Sequence, residues 1–145
     1  MIGLLQRVSQ ASVTVNDEAV ASINSGLLVF IGIEKNDAEI NAKRLFEKII
    51  NYRVFADAED KMNLSLQDIQ GGLLLVPQFT LAADTRKGLR PSFSNASSPE
   101  QAKPLFNFLI EHAREHYSNV EAGVFGADMQ VSLTNDGPVT FCFQL

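Results

Sequence analysis

The sequence predicts an α+β fold: a single compact domain of mixed, β-rich sheets, barrel-like or layered, with two main amphipathic helices packed on one face. Three observations carry that prediction. Apolar, β-branched runs outnumber helical stripes and are mostly separated by short turn clusters, as in a meander. Only two segments repeat their apolar residues at helical intervals, and those alone suit crossovers. No internal repeat, low-complexity tract or linker interrupts the 145 residues, so residues 1–145 read as one domain. A chain of that size buries about two-thirds of the surface its unfolded form exposes.

The elements follow in order. Val13 and Val15 flank Thr14 in a short strand, Asn16-Asp17-Glu18 turns, Val20 to Ile23 forms the next strand, and Asn24-Ser25-Gly26 turns again. Leu27 to Ile33 is continuously apolar and reads as a central strand buried on both faces, with Gly32 admitting a close neighbour. Asn36 and Glu39 have capping-box spacing, and Ala42, Leu45, Phe46, Ile49 and Ile50 share one helical stripe. Tyr52 to Ala56 reads as a strand and Asp57 to Gln70 as a long polar excursion. Gly71-Gly72 then opens an apolar strand, Leu73 to Val76, which Pro77 ends. Ser98 as N-cap, Pro99 at N1 and Gln101 at N3 announce the second helix, with Ala102, Leu105, Leu109 and Ala113 on one face. Two β-branched runs close the chain, Met129 to Thr134 and Val139 to Phe143, separated by Asn135-Asp136-Gly137-Pro138.

Composition narrows the function classes. The longest apolar run, Leu27 to Ile33, is far short of the roughly 20 residues a membrane span needs. The N-terminus meets Gln6 and Arg7 before any long apolar stretch, and Gly3 is misplaced for myristoylation, so neither secretion nor a lipid anchor is expected. A single cysteine, Cys142, forms no internal disulfide and no cysteine-based zinc site; together these features predict a cytoplasmic protein. A net charge of −5 argues against broad binding to a phosphate backbone, and no DNA partner is expected. Any nucleic acid must be gripped locally. The densest basic stretch is Arg86-Lys87-Gly88-Leu89-Arg90, which reads either as a solvated loop or as an RNA contact.

Most familiar catalytic sets are missing. There is no G-x-S-x-G elbow, no phosphate-binding Gly-Lys loop and no dinucleotide fingerprint. His112 and His116 lie one helical turn apart without an H-E-x-x-H context, and read as two histidines on an exposed face. Cys142 reads as a small buried hydrophobe of the last strand rather than a nucleophile. Two loop-edge segments stand out instead, each following an apolar strand, where a rigid scaffold presents groups to a ligand. In Pro77-Gln78-Phe79-Thr80-Leu81, Gln78 hydrogen-bonds in two directions, Phe79 can stack a base and Thr80 carries a hydroxyl; the plainer reading is a strand end that turns. In Asn135-Asp136-Gly137-Pro138-Val139-Thr140 the Asp-Gly pair signals a hairpin turn. Proline directly after that glycine is unusual there, and the alternative is a turn that sets carbonyl oxygens at a site.

At these two segments the sequence resembles the D-aminoacyl-tRNA deacylases (D-tyrosyl-tRNA(Tyr) deacylases), whose hallmarks are a Ser-Gln-Phe-Thr motif and an Asn-x-Gly-Pro-Val-Thr motif. The likeness extends to Gln6-Arg7-Val8, Ala11-Ser12-Val13-Thr14-Val15, Lys61-Met62-Asn63-Leu64, Arg90-Pro91-Ser92-Phe93 and Phe125-Gly126-Ala127-Asp128-Met129-Gln130-Val131, nearly the whole chain. It implies a hydrolase that cleaves the ester between a D-amino acid, or glycine, and the 3′-terminal adenosine of tRNA, a chiral proofreading step. It also implies a homodimer in which Gly137-Pro138, joined by a cis peptide bond, reaches the partner's active site, with Val139 and Thr140 in the same motif. Carbonyl oxygens held near the substrate α-carbon would accept from the ammonium of a D residue, while an L side chain would strike the same backbone.

By the same resemblance, Gln78, Phe79 and Thr80 form the catalytic wall, the N–H groups of Phe79 and Thr80 polarising the ester carbonyl. Phe125 and Met129 line the adenine pocket and Arg7 braces the Gly-Pro loop. The likeness calls for no cofactor and no metal. With no base beside Thr80 in sequence, a route in which the terminal ribose 2′-hydroxyl activates water accounts for the missing triad. Pro77 departs from the family's usual Ser, as in a sister branch with relaxed chirality, whereas Phe79 and Asn135 to Thr140 follow the D-specific pattern. Three other functions compete: a relaxed-chirality editing deacylase, a non-catalytic dimeric module for an RNA end or small ligand, and a general ester hydrolase with Thr80 as nucleophile.

Overall fold

The N-terminal strand organises the molecule. The computed structural model describes residues Met1 to Leu145, and in it β1 (Ile2–Val15) is paired along both edges. One edge runs antiparallel to β8 (Gln130–Gln144). The other is shared: β3 (Gly26–Gly32) takes Ile2 to Val8, and β2 (Glu18–Ile23) takes Ala11 to Val15. Next to β3 lies β6 (Gly72–Pro77), and next to β6 lies β7 (Val120–Ala122), both in parallel. Parallel neighbours need crossovers, and α1 (Glu39–Asn51) and α3 (Pro99–His116) supply them. This mixed sheet curls into a nearly closed barrel, and the fold is α+β as predicted. A separate two-stranded piece, β4 (Phe55–Ala56) with β5 (Met62–Leu64), precedes the single turn of α2 (Leu66–Ile69).

The unbroken apolar runs of β3 and β6 are explained by two cores, one on each side of the sheet. Leu27, Val29 and Ile31, with Leu73 and Leu75, face the helices and meet Leu45, Phe46, Ile49, Phe106 and Leu109. Leu28, Leu74 and Val76 point the other way, into a smaller cluster with Val8, Val13 and Ile23 inside the curl of β1 and β2. Each such side chain contributes roughly 1.5–3 kcal/mol by leaving water. Leu45, fully buried between the sheet and the helices, is a position where truncation to alanine would cost about 2–5 kcal/mol. None of the helices is long and apolar enough to cross a membrane.

Four local expectations are corrected. Helix α1 starts two residues later than the Asn36 cap would place it: Ala38 is the N-cap, and its N–H donates to Asn41 Oδ1 at 3.0 Å. Asp37 is drawn away by the N-terminal ammonium, 2.6 Å from Oδ1, and by the Glu34 N–H, 2.7 Å from Oδ2. The strand expected over Tyr52 to Ala56 shrinks to Phe55–Ala56, and the excursion after it holds β5 and α2. The strand at the N-terminus was hidden over residues 2–7, where burial does not alternate. Most consequentially, Asn135 to Pro138 is not a hairpin turn. The runs on either side of it pair with the same strand, β1, and the segment bulges out of one continuous β8.

Candidate active site

Strand β6 ends at Pro77, and the chain leaves the sheet at once through a 3-10 helix, Phe79–Ala82. The Gln78 N–H still donates to the Ile31 carbonyl of β3 at 2.7 Å, which holds the start of the turn against the sheet. A Cβ on Gly32 would lie 2.8 Å from Leu81 Cβ, so glycine there is what allows the 3-10 helix to sit down on β3. The first bond of that helix runs from the Leu81 N–H to the Gln78 carbonyl, 3.3 Å. The N–H groups of Phe79 and Thr80 therefore have no acceptor within the helix, and they point along its N-terminal end, where partial positive charge collects. Gln78 Nε2 donates to Thr80 Oγ1 at 2.6 Å, orienting both side chains of this corner.

Beside the corner opens a cavity of about 770 Å³. Pro77, Gln78 and Phe79 form one wall, Phe125 and Met129 another, and the start of α3, with Ser98 and Ala102, a third. Phe79 is 60 % exposed, although its ring lies 5.1 Å from that of Phe93, which also lines the cavity. An apolar, aromatic-walled space of this size suits a nucleoside, and the exposed aromatic face offers a stacking surface. Met129 is fixed by the Val124 N–H, which donates to its Sδ at 3.3 Å, and Phe125 packs against Phe106 of the core. Lys35 and Asp128 bring the only formal charges to the wall.

The Gly137-Pro138 segment is built differently. Opposite it on β1 stands Arg7 alone: Val8 pairs with Asn135 and Gln6 with Thr140, so one residue faces four. Arg7 fills the gap. Its Nε donates to the Asp136 carbonyl at 3.0 Å and its Nη1 to the Val54 carbonyl at 2.6 Å, and Asp136 Oδ2 lies 3.4 Å from Nε. Asn135 ties the base of the bulge, its Nδ2 donating to Gln6 Oε1 at 2.6 Å and to Thr140 Oγ1 at 3.1 Å, while its Oδ1 accepts from the Val139 N–H at 3.1 Å. The bond from Gly137 to Pro138 is cis, and Gly137 sits at φ +122°, a conformation open essentially to glycine. Both residues are exposed at the tip of this braced bulge.

Of the residues singled out in the sequence, the fold gathers Gln78, Phe79, Phe125 and Met129 around one cavity, with Thr80 joined to them through its bond to Gln78, and gathers Arg7, Gly137, Pro138, Val139 and Thr140 in a second place. It does not join the two groups within the chain. Arg7 pairs with Leu27 whereas Gln78 bonds Ile31, four residues farther along β3, which is roughly 13 Å of strand. Lys35 reaches the cavity from the loop before α1 without any pattern that marked it, whereas Phe93 and Ser98, from the segment before α3, were marked in the sequence only as part of the likeness and as a helix cap.

The remaining candidates lie elsewhere. His112 stacks parallel to Phe108 and edge-on to Phe46, half-buried, and burial, then His116 and Lys43, push its pKa below the usual 6.5. With Glu115 and His116 it offers ligand atoms within 4.8 Å of one another near the C-terminal end of α3, away from the cavity walls. Cys142 is exposed, not buried, because it falls on the outward face of β8 while Phe143 beside it enters the core.

The sequence profile of the family described as D-Tyr-tRNA(Tyr) deacylase matches residues 4–144. A D-aminoacyl-tRNA deacylase of Pseudoalteromonas atlantica is 57% identical over 141 residues, 97% of either chain. One of Escherichia coli O1:K1 / APEC is 54% identical over 145 residues, the whole of both. Among solved structures, one titled c-Myc DNA Unwinding Element Binding Protein superposes with a TM-score of 0.96 at 39% identity, covering 100% of this chain and 99% of its own. Another, titled as a structural analysis of a probable eukaryotic D-amino acid tRNA deacylase, has a TM-score of 0.86 at 17% identity over 98% and 97%, a likeness of fold.

Proposed function

This chain belongs to the D-Tyr-tRNA(Tyr) deacylase family, and from that premise we propose that it frees D-amino acids from tRNA while sparing L residues through a Gly137-Pro138 filter contributed across a homodimer. It is a hydrolase of the D-aminoacyl-tRNA deacylase kind, acting on the ester at the 3′ end of tRNA. The single observation that carries the catalytic part is the N-terminal end of the 3-10 helix at the rim of the apolar cavity. A terminal adenine fits between Phe79, Phe125 and Met129. The ester carbonyl on the ribose of that nucleoside then meets the N–H groups of Phe79 and Thr80, aligned before the reaction and needing no reorganisation as negative charge develops. Gln78 and Thr80 position this corner. No base other than the substrate's own 2′-hydroxyl is required to activate water.

The filter part rests on separation and exposure. The Gly137-Pro138 tip is distant from its own cavity, exposed, and braced by Arg7 and Asn135 more firmly than a free loop needs. In a two-fold dimer such a tip is available to the partner's cavity, and the arrangement is reciprocal. Its carbonyl oxygens would accept from a D substrate's ammonium and collide with an L side chain, and glycine, with nothing to collide, would be cleaved as well. The protein acts in the cytoplasm, where aminoacyl-tRNA is made and used, and takes up the tRNA end rather than DNA.

A second reading is favoured by Pro77. Where the family usually has Ser, proline removes a hydroxyl and a backbone donor at the cavity wall, and a less strict, L-tolerant editor follows. Hydrolysis of D-tyrosyl-tRNA and L-tyrosyl-tRNA by chelator-treated protein separates the readings. Loss of the D-ester alone supports the strict, metal-independent editor; equal loss of both supports the relaxed one, and loss of neither leaves a binding module.

A further inference from the structure

The cavity accounts for a terminal nucleoside but not for the nucleic acid attached to it. Phe93, Ala96 and Ser97 of the segment 84–97 line the cavity, and within that segment Asp84 is the only acid against Arg86, Lys87 and Arg90, in a chain whose net charge is −5. The base of this loop is pinned by two bonds between Asp84 and Ser92, 2.7 and 3.0 Å, one residue before Phe93 of the cavity wall. Arg86 is spent internally: it grips Asp84 through Nε at 2.9 Å and Nη2 at 2.6 Å. That grip stiffens the loop and leaves Lys87 and Arg90 exposed with no ion-pair partner, flanking the fully exposed Leu89. Lys35, likewise exposed and unpaired, lines the same cavity, and its N–H donates to the Asn95 carbonyl at 3.1 Å, tying it to this segment.

We propose that Lys87 and Arg90 on the loop, with Lys35 across the cavity mouth, bind the phosphates of the tRNA acceptor end and hold its terminal nucleoside in the cavity. The inference rests on the deacylase reading and specifies how that site takes a polynucleotide. Lys87 and Arg90 without ion-pair partners on one short loop, with Lys35 on the cavity wall, raise the local potential for a polyanion in a chain whose net charge is −5. They face phosphates rather than base edges, so they contribute affinity without sequence preference. Their effect fades with salt in proportion to the phosphates neutralised, by about 0.7–0.9 in the slope of log affinity against log salt for each.

The test compares the intact protein with the double variant Lys87→Ala/Arg90→Ala, and separately with Lys35→Ala, on D-tyrosyl-tRNA and on the D-tyrosyl ester of adenosine, across a range of salt. The double variant should raise KM for the tRNA about tenfold at physiological salt and lower its salt slope by about 1.5, with kcat little changed. KM for the nucleoside ester should move less than twofold. Lys35→Ala should lower the slope by nearly one. Removing two cations from the helices instead, Arg44→Ala/Arg114→Ala, controls for net charge and should leave the slope in place. An unchanged tRNA KM and slope in the double variant, with the wild-type protein active, overturns this proposal alone. A wild-type protein that cleaves neither substrate overturns the deacylase reading beneath it.

Discussion

Arg7 holds Asp136 in place across the widest irregularity in the sheet, its Nε 3.0 Å from the Asp136 carbonyl oxygen and its Nη1 anchored 2.6 Å from the Val54 carbonyl. The fork of the guanidinium reaches both carbonyls at once, which a lysine ammonium on its flexible stem does not reproduce. Arg7→Lys should therefore keep the fold, at a cost of about 1–2 kcal/mol, and loosen the Gly137-Pro138 tip. The ratio of D- to L-tyrosyl-tRNA hydrolysis is expected to fall about tenfold, measured side by side with wild type. A ratio that stays the same would remove Arg7 from the filter.

Gln78 Nε2 to Thr80 Oγ1, 2.6 Å, fixes the corner where the ester is expected. If the backbone N–H groups and the substrate's 2′-hydroxyl do the chemistry, Thr80→Ala loses orientation and no more, and kcat should fall about tenfold or less. A tRNA ending in 2′-deoxyadenosine, charged at its 3′-hydroxyl, should be cleaved at least about a hundredfold more slowly. A Thr80→Ala protein with no detectable turnover would assign the hydroxyl the nucleophile's role.

Asp37 joins the two ends of the chain: it accepts from the Met1 ammonium, which also donates to the Leu145 carbonyl at 2.7 Å. Met1 is fully buried as a residue, so its terminal ammonium has little water to turn to. Asp37→Ala should cost about 2–3 kcal/mol, because bonds to charged groups exceed neutral ones and Glu34, 3.2 Å away, compensates only in part. Urea unfolding of wild type and variant at one protein concentration measures this.

His112 gives stability a pH dependence of definite sign. Burial against Phe46 and Phe108 disfavours its charged form, so its folded pKa lies below the unfolded 6.5. Below pH 6.5 the unfolded chain binds the proton more readily, and stability is lost as pH falls from about 7 toward the folded pKa. Above that range the contribution is complete. Melting temperatures from pH 7.5 to 5 should therefore decline more steeply for wild type than for His112→Gln, and parallel curves would contradict this.

Much of this was legible because local patterns coincided with the final packing. The run Leu27 to Ile33 is apolar on both faces since two cores flank β3, and the stripe from Ala42 to Ile50 faces one of them. Gln78, Phe79, Phe125 and Met129 were marked by motif and meet at one cavity. Other features were not legible for physical reasons. Cys142 looked buried because its neighbours are apolar, yet alternation along β8 turns it outward. Phe93 and Lys35 acquire their place only when loops distant in sequence converge.

The sequence by itself determined the class of fold, the central strands β3 and β6, the helices α1 and α3, and the two short segments with chemistry to offer. Those depend on periodicity and residue type, which act over a few neighbouring positions. Tertiary structure decided that Asn135 to Pro138 is a bulge and not a turn, and that Arg7 and Val54 hold it. It also set the exposed Gly137-Pro138 tip apart from the cavity of its own chain. Pairing of both halves of β8 along a single edge of β1 wins a contest between non-local pairings. Its outcome is set by long-range contacts rather than by the local preference of Asp-Gly to turn.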